Sequence, residues 1–317
     1  MTTVRQAPIK PFRFGVQVSS APDAASWVSL ARKIEDLGFA TLTMPDHFTD
    51  QLAPMPALMA AAQATTNLRV GALVWDNDYK HPVVFAKEIA TLDVLSNGRV
   101  ELGIGAGWMK TDYEQSGIPY DTPGVRIDRM IEGIQVIRGA CANGPFSFSG
   151  KHYQISNYEG LPKPVQQPCP PLLIGAGGKR MLTFAAREAD IVGINPILTA
   201  GAVGPEAIAS MAADVVDDKV RLVNEAAGSR LDHIEFNVRA YLVNVTDDRR
   251  RTIDGLSAGM GVTADLIENS PFALIGSPAS LAEDLLARRE RWGFSYVIVG
   301  AEDVDTFAPV VAQLAGK

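Results

Sequence analysis

Residues 91–108 read TLDVLSNGRVELGIGAGW. An apolar helical run ends at Ser96-Asn97-Gly98, a short strand over Val100–Ile104 follows at once, and glycine then occupies every second position at Gly103, Gly105 and Gly107. Without a Cβ, glycine takes dihedrals that other residues avoid and lets another group sit directly against the main chain. Three glycines at one strand end predict a loop whose backbone touches a phosphate or a flat ring, although a tight turn with no ligand fits the same residues. The order of helix, turn and buried strand decides the fold, because it repeats.

Short apolar runs rich in Val, Ile and Leu occur at Phe12–Val18, Thr41–Met44, Leu68–Val74, Val100–Ile104, Leu172–Ile174, Asp190–Ile194, Glu235–Val245 and Tyr296–Val299. They show little polar alternation, as strands buried on both faces do. Helical patterns separate them at Pro22–Leu37, Pro56–Thr65, Pro82–Leu95, Pro123–Cys141, Lys179–Glu188, Pro205–Ala227, two pieces over Asp247–Asn269, and Pro278–Trp292, with Phe307–Leu314 last. Proline recurs in the first turns, where its missing N–H costs nothing. Eight strands alternating with helices predict an α/β fold of the (β/α)8 TIM-barrel type with insertion segments; a doubly wound open sheet is the runner-up. No composition break interrupts residues 1–317, so one domain is expected. Two connections are long. Asn143–Pro171 has the makings of a small hairpin, and Asn195–Pro205 follows the sixth strand, on the rim where barrel active sites form.

Composition narrows the function. Hydrophobic residues make up 47% of the 317, enough for a large core. A net charge of −7 argues against a nucleic-acid surface. Two cysteines, Cys141 and Cys169, are too few for a disulfide scaffold and suit a reducing compartment. The opening MTTVRQAPIKPFRFG lacks the apolar core of a signal peptide, and no run of about 18 apolar residues is present to span a membrane, so the expectation is a cytoplasmic protein without membrane partners.

If the barrel holds, chemistry belongs just after each strand. Pro45, Asp46 and His47 follow the second; Trp75, Asp76, Asn77, Asp78 and Tyr79 the third; Gly103 to Trp108 the fourth. After the fifth, Gly175-Ala176-Gly177-Gly178-Lys179-Arg180 opens directly into a helix. A glycine turn at a helix N-terminus offers free N–H groups and the positive dipole end, which together bind anions. It is not a Walker A loop, since no Ser or Thr follows Lys179. His47 is the best acid or base on this rim, with Asp46 beside it. His81, His152 and His233 read as structural or surface residues, and no metal-ligand spacing occurs. There is no nucleophile elbow. Anion cradles, aromatic walls and one good acid/base, without nucleophile or metal, call for a bound organic cofactor.

The ordered motifs TMPDHF (Thr43–Phe48), HPVVFAKEIATLDVLSNGRVELGIGAGW (His81–Trp108), GVRIDRMIEGIQVIRG (Gly124–Gly139) and PKPVQQPCPPLLIGAGG (Pro162–Gly178) resemble the bacterial luciferase-like flavin-dependent barrels, most closely the branch that uses the deazaflavin coenzyme F420. The resemblance runs almost end to end. It implies that Asp46 and His47 stand near the cofactor ring and that Leu73–Val74 is a non-prolyl cis peptide behind it. It further implies that Gly103, Gly105, Ala106 and Gly107 line the ring, and that Gly175, Ala176, Gly177, Gly178 and Lys179 take the phosphate, with Arg180 at hand. Trp75 and Trp108 would wall the substrate pocket. Sugar-phosphate dehydrogenases of this branch carry an acidic glutamate where Trp108 stands, so that substrate class is not expected. The resemblance thus implies an F420-dependent oxidoreductase, a homodimer, moving a hydride between the deazaflavin and a small organic substrate. The rivals are an FMN-dependent monooxygenase fed by a separate reductase and a flavin-binding carrier without turnover. A cofactor-free lyase is weaker, because no lysine or carboxylate dyad stands at the strand ends.

Overall fold

The computed structural model describes residues 7–198 and 201–317. The first six residues of the leading segment, and Thr199 and Ala200 in the loop after the sixth strand, lie outside the described residues.

Eight strands form the barrel: β1 (Arg13–Gln17), β2 (Thr41–Met44), β3 (Arg69–Ala72), β4 (Val100–Gly105), β5 (Leu172–Ala176), β6 (Ile191–Ile194), β7 (Glu235–Arg239) and β8 (Phe294–Gly300). Each pairs in parallel with its sequence neighbours, and β8 returns to β1 from Arg13↔Tyr296 to Gln17↔Gly300. The seam between β3 and β4 is narrow, carried by Val70↔Val100 and Gly71↔Glu101. Beyond it Leu73–Val74 is a cis peptide, and Trp75–Asp76 resumes pairing with β4 at Ile104 and Gly105.

Helices cover the outside. Strand residues such as Phe14, Val16, Leu42, Val70 and Ile104 pack outward against helix residues including Trp27, Leu58, Ile89, Ile134 and Phe307, all buried. Complete burial of one such side chain contributes about 1.5–3 kcal/mol. A separate cluster of Leu173, Ile191, Tyr296 and Ile298, with Leu73 and Val74 against it, fills the interior. Below it, at the strand starts, Arg13, Arg69, Glu101 and Glu235 make an ionic plug: Arg13 meets Glu101 at 2.5 Å and Glu235 at 2.6 Å, and Arg69 meets Glu101 at 2.9 Å. The interior is therefore closed at the N-terminal end, and the cavity can only open at the other.

Two expectations need correction. The predicted strand Glu235–Val245 is two strands: β7 stops at Arg239, and Leu242–Val245 leaves the barrel to pair in parallel with Ala273–Gly276, a strand that the sequence reading lacked. The run hides the break because Ala240 and Tyr241 carry no turn chemistry, while their N–H groups turn to Ile298 and Phe272 carbonyls. The two cysteines, expected to suit a reducing compartment, are joined as a disulfide, with Cα atoms 5.6 Å apart. Cys141 ends the helix Pro123–Cys141 and Cys169 lies in the proline-rich return to β5, a proximity that spacing along the chain does not reveal. The hairpin expected within Asn143–Pro171 is present, as Phe146–Ser149 antiparallel to Gln154–Tyr158. Among the described residues no helix is long and apolar enough to cross a membrane.

Candidate active site

A cavity of about 310 Å³ opens at the C-terminal ends of the strands. That is the low end of the usual size for small-molecule sites, and the position is where barrels of this type work. The loops after β2, β3, β4, β5 and β6 all reach it, as do Gln17 at the end of β1 and Arg239 at the end of β7.

Pro45, Asp46 and His47 leave β2 in a turn closed by the Gln51 amide, which donates to the Pro45 carbonyl at 2.8 Å. Asp46 and His47 both line the cavity, but they serve different neighbours. Asp46 Oδ2 accepts the N–H of Asp76 at 3.1 Å, tying the loop after β2 to that after β3. His47 turns its Nδ1 to Asp112 Oδ2 at 2.6 Å, and Asp112 also accepts from Tyr79 Oη at 2.9 Å and from the Phe48 N–H at 3.3 Å. A carboxylate on Nδ1 fixes the imidazole and leaves Nε2 as the nitrogen open to a bound group. Trp108 packs edge-on against this ring, centroids 5.6 Å apart.

The glycines at the end of β4 also make room for neighbouring protein atoms. A Cβ on Gly103 would overlap the Ala72 carbonyl oxygen, and one on Gly105 would lie 2.6 Å from Val74 Cγ2. Both make room for the β3 chain around its cis peptide. Gly107 has φ of +73° and its missing Cβ leaves the space taken by Tyr113 Oη and Asp76 Oδ2. Gly105, Ala106 and Gly107 do line the cavity; Gly103 lies deeper, outside the lining. Arg126 holds this loop from behind through the Ala106 carbonyl at 3.2 Å and the Gly107 carbonyl at 3.4 Å.

On the β5 side, Gly175 and Gly177 are small because Asn195 Nδ2 and the Pro196 carbonyl press on them, whereas a Cβ on Gly178 would meet nothing within 4 Å. Gly178 is the N-cap of the helix Lys179–Glu188, no side chain caps it, and Gly175 to Gly178 all face the cavity. Free N–H groups and a dipole end therefore look onto open space, which fits the terminal anion of a cofactor side chain. Lys179 is exposed and outside the lining, and Arg180 is engaged by Asp128 and the Gly124 carbonyl.

Leu73, Val74 and the buried Trp75 form the wall between these two cradles, with Trp75 braced edge-on by Phe85. Opposite, Arg239 Nε donates to Gln17 Oε1 at 3.1 Å, and Gln17 Nε2 donates to the Leu73 carbonyl at 3.1 Å, so a buried guanidinium is linked to the cis peptide. Sequence reading missed Arg239; its one signal is a positive charge at the C-terminal end of the strand EFNVR, the end that faces the cavity. Arg126 gave no signal, being an ordinary member of the helical pattern Pro123–Cys141, and Tyr113 lies in a short helix, Lys110–Ser116, that the sequence reading lacked.

Burial dominates the electrostatics here. It pushes the Asp46 carboxyl upward, and it pushes Asp76 to about 7, with the Asp78 and Asp46 charges adding to the effect. Burial likewise raises the phenols of Tyr79 and Tyr113, with the Asp76 charge second.

A profile of the family described as luciferase-like monooxygenase matches residues 9–296, and the chain belongs to that family. It is 30% identical over 174 residues to an F420-dependent glucose-6-phosphate dehydrogenase of Amycolatopsis mediterranei, covering 51% of each chain. It is 28% identical over 187 residues to an FMNH2-dependent dimethylsulfone monooxygenase of Pseudomonas putida, covering 56% of this chain and 51% of that one. The matched stretches thus span about half the length of these curated relatives. The coenzyme F420-dependent tetrahydromethanopterin reductase of Methanopyrus kandleri shares the fold, with a TM-score of 0.76 and 19% identity over 96% of this chain and 99% of that one.

Proposed function

We propose that this luciferase-like barrel is a coenzyme F420-dependent oxidoreductase, moving a hydride between the deazaflavin and a small organic substrate of modest polarity. The observation that carries this reading is the pair of glycine-bearing walls flanking Leu73 to Trp75, with His47 held over the space between them by Asp112. A deazaflavin supplies a hydride at C5; the rest is the protein's task. Gly105, Ala106 and Gly107 would hold one edge of the ring plane and Leu73–Val74 its back. The free N–H groups at Gly177 and Gly178 would hold the phosphate, with Lys179 too exposed to contribute more than a distant charge. Trp75 and Trp108 would exclude water beside the reacting carbon, where a dry site strengthens every polar contact. His47, polarised by Asp112, would direct Nε2 at the atom on which charge develops, and Asp46 would keep the two acidic loops in register.

Equilibrium titration followed by the absorbance and fluorescence of each cofactor tests this. The expected result is saturable deazaflavin binding and weak FMN binding. Tight FMN binding with no affinity for the deazaflavin would favour an FMN-dependent monooxygenase supplied by a separate reductase; cofactor binding without turnover over a broad substrate screen would favour a carrier. One catalytic domain, a homodimeric assembly and a cytoplasmic location complete the proposal, and sedimentation of the purified chain tests the assembly.

A further inference from the structure

Four aspartates converge beside the cavity, and their neighbours treat them unequally. Asp112 has His47 at 2.6 Å and Asp78 has Arg129 at 3.0 Å. Asp76 and Asp46, both lining the cavity, have no cation in contact among the described residues. Asp76 Oδ1 accepts the Asp78 N–H at 2.9 Å, and Tyr113 Oη lies 3.2 Å from Oδ1 and 3.0 Å from Oδ2. Asp46 Oδ2 takes the N–H of Asp76 itself. Every other charge facing this group from the surrounding elements is committed elsewhere. Arg126 spends its guanidinium on the carbonyls of Ala106, Gly107 and Asp121, and Arg129 bridges Asp78 and Asp121. Lys80 reaches Glu88 at 2.6 Å, and Tyr79 donates to Asp112. Two adjoining carboxyls, desolvated and with no cation in contact among the described residues, do not both ionise near neutral pH.

We infer that Asp76, lodged in the gap left by Gly107 and held by Tyr113, carries the proton that this cavity delivers to a substrate. The inference rests on the hydride-transfer reading. Addition of a hydride to a carbonyl or imine carbon breaks the π bond and leaves an anion on the oxygen or nitrogen. The Asp76 O–H bond then breaks, its proton joins that atom, and the carboxylate recovers a proton from water. The cofactor alone is oxidised and the substrate alone is reduced. His47 stabilises the anion; Asp76 neutralises it.

Carboxyl-carbon NMR of the cofactor-free protein labelled with 13C-aspartate is the test. One aspartate resonance should titrate with a midpoint of about 7, vanish in Asp76→Asn, and move to lower pH in Asp46→Asn, which removes the neighbouring negative charge. Asparagine still caps the turn Asn77–Tyr79, so this variant keeps the loop while losing the acid. With a reducible carbonyl and reduced deazaflavin, the wild-type rate should fall tenfold per pH unit above the midpoint. Asp76→Asn should be at least about tenfold slower at neutral pH and lack that decline, the lower end of general-acid effects. An Asp76 midpoint below pH 5, or an Asp76→Asn enzyme with the wild-type rate and profile, overturns the inference. Failure to bind any deazaflavin, with the neutral midpoint intact, counts against the cofactor reading instead.

Discussion

The barrel holds charge at both ends, and the two ends are built on opposite principles. At the strand starts, Glu101 lies between Arg13 and Arg69, Glu235 takes the other side of Arg13, and Tyr296 Oη donates to Glu101 at 3.1 Å while its ring lies under the Arg13 guanidinium. Burial works to raise the Glu101 carboxyl, but the two arginines outweigh it and hold it below the ordinary carboxylate value. At the strand ends burial outweighs the hydrogen bonds and the more distant charges that oppose it at Asp46 and Asp76, and both rise. Matched charge gives a rigid floor; unmatched charge gives a group that exchanges a proton. The difference lies in where the arginines sit, since carboxylates are plentiful at both ends.

Breaking the floor should have the largest effect. Glu101→Gln removes the buried charge that Arg13 and Arg69 share, leaving Glu235 as the remaining partner of Arg13, and should cost about 3–5 kcal/mol of stability, measured by urea unfolding. At the other end His47→Ala should lower turnover by about 100-fold or more while deazaflavin binding survives. Asp112→Asn should do less, because it loosens the imidazole without removing it. Gly107→Ala places a Cβ on Tyr113 and Asp76 at a positive φ and should destabilise by about 1–3 kcal/mol, seen as a lower melting temperature with weakened activity.

A pH series of melting temperatures separates the two ends by sign. Glu101 has a depressed folded pKa, so its contribution is present above the unfolded value of about 4.3 and is lost as pH falls through the folded one. Asp76 has a raised one, so the folded state holds a proton that the unfolded state has released, and stability declines as pH climbs from about 4 to about 7. Asp76→Asn should flatten that decline and leave the acid limb of Glu101 unchanged. The smallest effect is expected from Lys179→Ala. An exposed side chain outside the cavity should change stability by less than about 0.5 kcal/mol and cofactor affinity only slightly.

Much of this was legible in the residues. Seven of the eight barrel strands follow the predicted runs closely, because a strand buried on both faces is mostly apolar, the charged residues at the strand starts apart. The remaining run, Glu235–Val245, misleads because a β-prone stretch without turn residues says nothing of a change of partner at Ala240. The glycine loops were correctly placed on the rim, yet the spaces left by Gly103, Gly105 and Gly107 are occupied by protein atoms. Glycine reports that something sits close, and the identity of that neighbour is a tertiary fact.

By itself the sequence determined the alternation, the parallel closed sheet, the rim on which the cavity opens, and Asp46 and His47 upon it. All of these follow from local pattern and strand order. Only the tertiary structure decided that His47 works with Asp112, 65 residues away, that Asp46 answers to Asp76, and that Arg239 reaches Gln17 across 222 residues. It also decided that Arg180 is spent on Asp128, that Cys141 meets Cys169, and that Asp76 has no cation in contact among the described residues. The strength of an electrostatic contact depends on distance and burial. Both are set by how the barrel closes, and neither is written in the order of residues along the chain.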